Sequence, residues 1–250
     1  MSETSASDRS GGAPQPAERL GGGAMFDAIA GRYDLLNRLM SFGIDKGWRK
    51  KAVRALALAP DQPTRVLDVA TGTADLALLT CSMCKGASVV GVDPSTGMLA
   101  VGEKKVADAG LADRITLSVG DAQALPFEAN SFDGATIAFG IRNVPDRARG
   151  LAEMTRVVRV GARVVVLELS EPRGFMSSFS RLHIHHVVPW LGGLVSGRKE
   201  YSYLQASIAA FPPAEQFAEM MRGAGLEIES VTPMTMGVAH LYVGVKRPVS

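Results

Sequence analysis

Apolar and polar positions change their period along this chain at regular intervals. From Arg65 to Leu79, RVLDVATGTADLALL, an apolar run breaks at small residues and resumes with Leu76 and Leu79 at helical spacing, which predicts strand, tight turn and helix. A second apolar run, SVVGVDP, ends in Asp93 and Pro94, and Thr96 to Ala109 follows in a helical pattern. Ile115 to Val119 and Phe132 to Phe139 predict the third and fourth strands; Arg147 to Val158 predicts a helix, Gly161 a turn and Arg163 to Leu169 a fifth strand. After a helix over Phe217 to Gly223, the strands Leu226 to Val231 and Leu241 to Val245 are joined across MGVAH. Strands that are apolar on both faces suit a parallel sheet covered on both sides, so the prediction is an α/β fold with a doubly wound, seven-stranded, mostly parallel sheet.

Ahead of the sheet, Met25, Ile29, Leu36, Leu39 and Met40 recur at helical intervals, and Gly31 interrupts them just before Tyr33. Two short helices presenting an aromatic hydroxyl are expected there, then a helix from Asp45 to about Leu58, so residues 24–60 read as an N-terminal helical cap. Residues 1–23 are polar and rich in Ser, Gly and Pro, without a secretory apolar segment, and are expected to form a disordered cytoplasmic tail. Residues 24–250 read as a single domain, since 250 residues of which 46% are hydrophobic can bury one sizeable core. The irregular stretch 175–212, carrying Met176, Phe179, Leu182 and Trp190, is expected to be a lid suited to a lipophilic substrate.

Chemistry gathers where the strands end. In doubly wound sheets ligands collect beyond the carboxyl ends of the strands, and Gly72 falls there, with no side chain to keep a ligand from the backbone. Asp93 follows about twenty residues later, a spacing at which a carboxylate accepts both hydroxyls of a ribose. Asp121 places another carboxylate beyond a strand end, able to accept the exocyclic amine of adenine while the amide of Ala122 meets a ring nitrogen; an Asp-initiated turn is the plainer account. Together these residues suggest an adenosine-bearing cofactor. There is neither a Gly-Lys-Ser/Thr after the turn nor a G-x-G-x-x-G, which sets aside ATP hydrolysis and NAD binding. Arg142 and Asn143 in GIRNV come at the same edge and are the best chemical candidates.

Composition narrows the rest. A net charge of +2 argues against a nucleic-acid partner, and the longest apolar run, Val187 to Val195, is far short of the roughly 18 residues of a membrane span. Cys81 and Cys84 form a lone C-x-x-C, and His183, His185 and His186 lack partnering ligands, so no metal site is expected.

The motifs YDLLN (Tyr33 to Asn37), SFG (Ser41 to Gly43), LDVATGTAD, DAQALPF, FGIRNV, LELSEP, YSYLQASIAAFP and MMRGAG resemble those of the demethylmenaquinone and ubiquinone C-methyltransferase family, within the class I S-adenosylmethionine-dependent methyltransferases. The resemblance implies a Rossmann-like sheet of order 3-2-1-4-5-7-6 with an antiparallel seventh strand. It implies S-adenosyl-L-methionine as cofactor, with Gly72 and Thr73 along its methionine portion, Asp93 at the ribose, and Asp121 and Ala122 at the adenine. At a further cofactor contact the family has a serine where this chain has Ala138, so a hydroxyl is lost. Ala74 replaces the usual glycine, Asp45-Lys46 a His-Arg pair, Tyr242 a late histidine, and Val160 and Ala162 flank Gly161 in place of a Pro-Gly-Gly turn.

The activity implied is C-methylation of a reduced, polyprenylated naphthoquinol, demethylmenaquinol to menaquinol, with Arg142 stabilising the phenolate and Asn143 and Tyr33 orienting the ring or a proton-accepting water. The other readings are a benzoquinol substrate in ubiquinone biosynthesis, a soluble aromatic substrate, and a noncatalytic cofactor-binding partner of quinone synthesis. A cytoplasmic location is expected, with peripheral contact at the inner face of the membrane and a homodimer both left open.

Overall fold

A computed structural model describes residues 43–171 and 198–248 together with Phe26, Asp27, Ala30 and Gly31. The expected tail, Tyr33, the histidine cluster and residues 175–197 of the expected lid lie outside the described residues.

Seven strands form one sheet: β1 (Thr64–Val69), β2 (Ala87–Asp93), β3 (Ile115–Val119), β4 (Phe132–Ala138), β5 (Val158–Leu169), β6 (Leu226–Met234) and β7 (Ala239–Lys246). Their order is β3-β2-β1-β4-β5-β7-β6, with β7 antiparallel to both β5 and β6 and the other pairs parallel. This is the order that the family resemblance implies. The helices are α1 (Asp45–Ala55), α2 (Asp75–Met83), α3 (Thr96–Asp108), α4 (Arg147–Val157), α5 (Arg198–Ala209) and α6 (Ala214–Gly223).

Alternation within each strand explains why the runs are apolar throughout. Val66, Val89, Val165 and Val243 pack with Trp48, Ala52, Ala77 and Val106 of α1, α2 and α3, whereas Leu67, Ile137, Val166 and Tyr242 pack with Leu151, Met154, Phe217 and Met221 of α4 and α6. Each face is therefore dry, and each of these large side chains contributes about 1.5–3 kcal/mol by leaving water. Side-chain oxygens cap two of the helix starts: Ser95 accepts from the Met98 amide and Asp146 from that of Arg149.

Three boundaries differ from the sequence reading. β5 starts at Val158 and runs through Gly161, whose φ of 82° accommodates an irregularity where the β4 pairing jumps from Val158 to Arg163. A left-handed glycine can bulge a strand as readily as end it. β6 continues to Met234, past Val231, because it keeps pairing with β7 up to Ala239. Within the stretch read as a lid, Arg198–Ala209 is a helix. The described residues contain no helix long and apolar enough to cross a membrane.

Candidate functional site

β1 lies between β2 and β4, so the chain departs from its carboxyl end toward opposite sides of the sheet and leaves a crevice there. The loop that follows carries three left-handed residues, Ala70, Gly72 and Ala74, with φ of 50°, 55° and 64°. This curl turns the Gly72 amide onto Asp93 Oδ2 at 2.9 Å, while Asp93 Oδ1 accepts from the Ser95 amide at 2.9 Å. A carboxylate has about four acceptor positions, so both oxygens retain capacity toward the crevice. Burial, leaving the residue 8% exposed, raises the Asp93 pKa against the lowering effect of the two amides. A Cβ at Gly72 would meet Met98 Cε at 3.1 Å and also fall in the left-handed region, so glycine serves both geometry and close approach.

Beneath this loop Asp68 is buried. Its Oδ2 accepts from Thr71 Oγ1 at 2.7 Å and its Oδ1 from Thr136 Oγ1 at 2.8 Å, tying the loop to β4. Burial pushes its pKa up to about 6, the two hydroxyls and Arg49 working the other way. The folded protein thus holds this proton more tightly than the unfolded chain. The associated stability is complete below about pH 4, the ordinary carboxylate range, and is lost as pH rises through 6; two pKa units correspond to about 3 kcal/mol. Asp68→Asn should remove this dependence. Urea unfolding at pH 4, 5.5 and 7 should show the variant gaining about 3 kcal/mol on the parent across that range, and a constant difference would rule out Asp68 as the titrating group.

Beyond β3, Asp121 is exposed, and its Oδ1 accepts from the Gln123 amide at 2.9 Å. It is therefore an Asp-initiated turn, and it also lines the crevice beside Ala122. On the other side, β4 ends at Ala138, and Phe139 follows with φ of 60°, its ring 5.2 Å from the Arg49 guanidinium. Gly140 lets this turn pack down, because a Cβ there would lie 2.5 Å from that of Ala70.

Arg142 and Asn143 sit in the single 3-10 turn Ile141–Asn143 but have different surroundings. Asn143 lines the crevice, and its Oδ1 accepts from Tyr203 Oη of α5 at 3.1 Å. Arg142 is buried, with Nη1 donating to Glu168 Oε1 and to the Phe139 carbonyl, both at 2.6 Å. At the end of β5, Ser170 Oγ donates to the Gly237 carbonyl at 2.8 Å and lies 2.7 Å from His240 Nδ1. The hydroxyl has one proton to give, so Nδ1 carries its own and Nε2 is the acceptor in the neutral ring; burial lowers the His240 pKa and favours that neutral form. Tyr242, which stands where the family has a histidine, lies in the core against Phe217, so this departure is a matter of packing.

The crevice encloses about 310 Å³, and the structure brings Gly72, Asp93, Asp121, Ala122, Ala138 and Asn143 together around it. Two expected residues are placed elsewhere. Thr73 is outside the lining: it is buried, and its hydroxyl accepts from Lys105 Nζ at 3.2 Å, because the curl that exposes Gly72 turns the next side chain under α3. Arg142 is also outside it, drawn inward by Glu168. Phe26, Met98, Phe139 and Val144 supply apolar walls that the sequence reading did not select. Its only local sign of Asp68 was an acid inside an otherwise apolar strand, and Tyr203 carried no signal beyond the YSYLQ resemblance.

An apolar-walled crevice of this volume, with a glycine approach and an inward carboxylate that keeps acceptor capacity, fits an adenosyl cofactor. This sheet order and site define a class I, S-adenosylmethionine-dependent methyltransferase, and solved structures share the fold. The cyclase SpnF superposes with a TM-score of 0.68 at 17% identity over 91% of this chain and 96% of its own. A SAM-dependent methyltransferase from Aquifex aeolicus does so with 0.57 at 15% identity over 78% and 88%.

The chain belongs to the ubiE/COQ5 methyltransferase family, whose model matches residues 18–246. It is 45% identical to the ubiquinone/menaquinone biosynthesis C-methyltransferase UbiE of Geotalea daltonii over 89% of this chain and 94% of that protein. It is 46% identical to the demethylmenaquinone methyltransferase of Thermus thermophilus over 88% and 99%. Against the demethylmenaquinone methyltransferase of Bacteroides fragilis it is 41% identical over 89% and 91%.

Proposed function

We propose that this enzyme methylates a ring carbon of a reduced, polyprenylated naphthoquinol, converting demethylmenaquinol to menaquinol. The observation that carries the reading is Asn143, held at the crevice by Tyr203 in a chain whose relatives include demethylmenaquinone methyltransferases. The bound cofactor supplies an electrophilic sulfonium methyl. A ring carbon attacks it only when a neighbouring phenol has become phenolate, so the protein's tasks are to favour that anion and to fix the ring in line. With Asn143 Oδ1 occupied by the Tyr203 hydroxyl, its Nδ2 is the free end and donates to the phenolate oxygen. Arg142 acts through position: Glu168 holds its guanidinium, and together they fix the turn that presents Asn143. Tyr33 keeps the ring-orienting role that the family motif gives it, and the lipid tail draws the enzyme to the inner face of the membrane.

The nearest alternative is a benzoquinol acceptor, favoured by relatives named for both ubiquinone and menaquinone biosynthesis. The oxidised ring is electron-poor and has no hydroxyl to deprotonate, and the sequence carries no nicotinamide fingerprint for reducing it. Supplied anaerobically with labelled S-adenosylmethionine and demethylmenaquinone, the enzyme is expected to label the lipid only when dithionite is present. Equal labelling without reductant would refute the quinol mechanism, and faster labelling of the matched benzoquinol would move the assignment to ubiquinone synthesis.

A further inference from the structure

Helix α1, DKGWRKKAVRA, holds five basic residues and one acid, whereas the whole chain has a net charge of only +2. Asp45, Trp48, Arg49, Ala52 and Val53 are buried, which leaves Lys46, Lys50, Lys51 and Arg54 exposed on the outer face. Elsewhere the helices pair their cations: Lys104 with Asp108 on α3, Arg156 with Glu153 on α4, and Arg222 with Glu215 and Glu219 on α6. The pair on α1, Asp45 with Arg49, is buried. Among the described residues no carboxylate stands within ion-pairing distance of the four outer cations. A helix face that is only solvated gains from alternating charge, so an unneutralised row of cations favours an anion from outside.

This row ends beside the crevice. β7 is antiparallel to β5 and to β6, so the turn after β6, Thr235–Gly237, lies at the same carboxyl edge of the sheet as the crevice. Trp48 Nε1 donates to Thr235 Oγ1 at 3.1 Å, and Lys51 Nζ lies 3.8 Å from Met234 Sδ, which docks that turn on α1. Phe139, a wall of the crevice, has its ring 6.3 Å from that of Trp48. At this end two large apolar side chains face water, Ile44 at 45% and Met236 at 68% exposure. One such residue is ordinary; two beside a row of cations have the composition of a surface that enters lipid. RNA would engage the cations and leave both apolar side chains in water.

We infer that the outer face of α1, with Ile44 and Met236 at its crevice end, is the surface by which this protein sits on an anionic phospholipid membrane. The ammonium and guanidinium groups meet headgroup phosphates, the two apolar side chains enter among the acyl chains, and the crevice is held at the lipid. This inference rests on the reading of the substrate as a polyprenylated quinol.

The test mixes the full chain with vesicles of phosphatidylcholine, with and without phosphatidylglycerol, and reads the bound fraction by sedimentation. The parent should prefer the phosphatidylglycerol vesicles and lose them as salt is raised. Each basic residue near such a surface strengthens binding roughly fivefold, so Lys46→Gln, Lys50→Gln and Arg54→Gln together should weaken it about a hundredfold. Glutamine matches these residues as a helix former, and the three positions are exposed, so the thermal midpoint should hold. Ile44→Ser with Met236→Asn keeps every cation, and asparagine tolerates the φ of 56° at Met236; this variant should bind several-fold more weakly. With a short-chain demethylnaphthoquinol dissolved in buffer, the triple variant should turn over as the parent does, and with the full-length quinol in vesicles more slowly. Vesicle binding by the triple variant at the parent's strength overturns the surface, as does tighter binding of the parent to duplex RNA than to vesicles. A parent that methylates the dissolved quinol but ignores phosphatidylglycerol vesicles removes the surface alone. One that binds those vesicles through these residues but methylates no quinol upholds the surface and removes the substrate reading.

Discussion

Truncating Arg142 to alanine is expected to cost the fold about 3–5 kcal/mol, because it strands a carboxylate that has no route to water. Glu168 is 0% exposed, and its oxygens accept from Arg142 Nη1 at 2.6 Å, the Arg142 amide at 3.2 Å and the Leu169 amide at 2.7 Å. Removing the guanidinium leaves two backbone donors against a full buried charge. Turnover should collapse as well, since the Ile141–Asn143 turn loses its anchor and Asn143 its position. A charge meant only for the phenolate would give a different result, a normally stable protein with a low kcat. The double replacement Arg142→Met with Glu168→Leu separates the two accounts. It removes both charges and fills similar volume, so it should recover most of the unfolding midpoint in urea while activity stays lost. A single Arg142→Ala variant with the parent's midpoint would return the guanidinium to the substrate.

The sheet was legible because its strands are apolar on both faces and end in small residues. The runs at Arg65, Ser88, Ile115, Phe132 and Leu241 became strands within a few residues of where the pattern placed them. Gly72 and Asp93 were legible for a related reason: both lie at the carboxyl ends of strands at a spacing that the fold dictates, and they meet at 2.9 Å. The surroundings of a side chain were not. Arg142 and Asn143 are neighbours in a motif that reads as purely chemical, and only Glu168, twenty-six residues on and in another strand, decides that one turns inward. Thr73 is the same case, with Lys105 as the distant partner. Strand bounds failed at Gly161, read as a turn although it sits in a bulge within β5, and past Val231, where Pro233 still lies in the β6 pairing.

Asp93→Ala is expected to weaken S-adenosylmethionine by roughly a hundredfold or more while the protein stays folded. Hydrogen bonds to a charged group contribute about 1.5–3 kcal/mol each, and loss of the two proposed ribose contacts exceeds the roughly 2.8 kcal/mol that a hundredfold represents. The Gly72 and Ser95 amides also lose their acceptor, but they border an open crevice where water can replace it, which limits the cost to the fold. Asp93→Asn tests the charge separately: one oxygen remains, but the amide nitrogen then confronts a backbone N–H as a second donor, so it should bind little better than alanine. The pH dependence follows from the same geometry. Burial raises the Asp93 pKa in the free protein, with the Asp27 charge adding to it, whereas hydroxyls donating to the carboxylate favour its ionised form in the complex. Binding therefore releases a proton in the acid range, and affinity in the parent should fall as pH drops through the raised pKa of Asp93. Calorimetry from neutral pH down into the acid range reads both effects, the parent losing affinity toward acid and Asp93→Asn losing less. A folded Asp93→Ala that binds as the parent does would remove the carboxylate from the site and leave the crevice without its polar anchor.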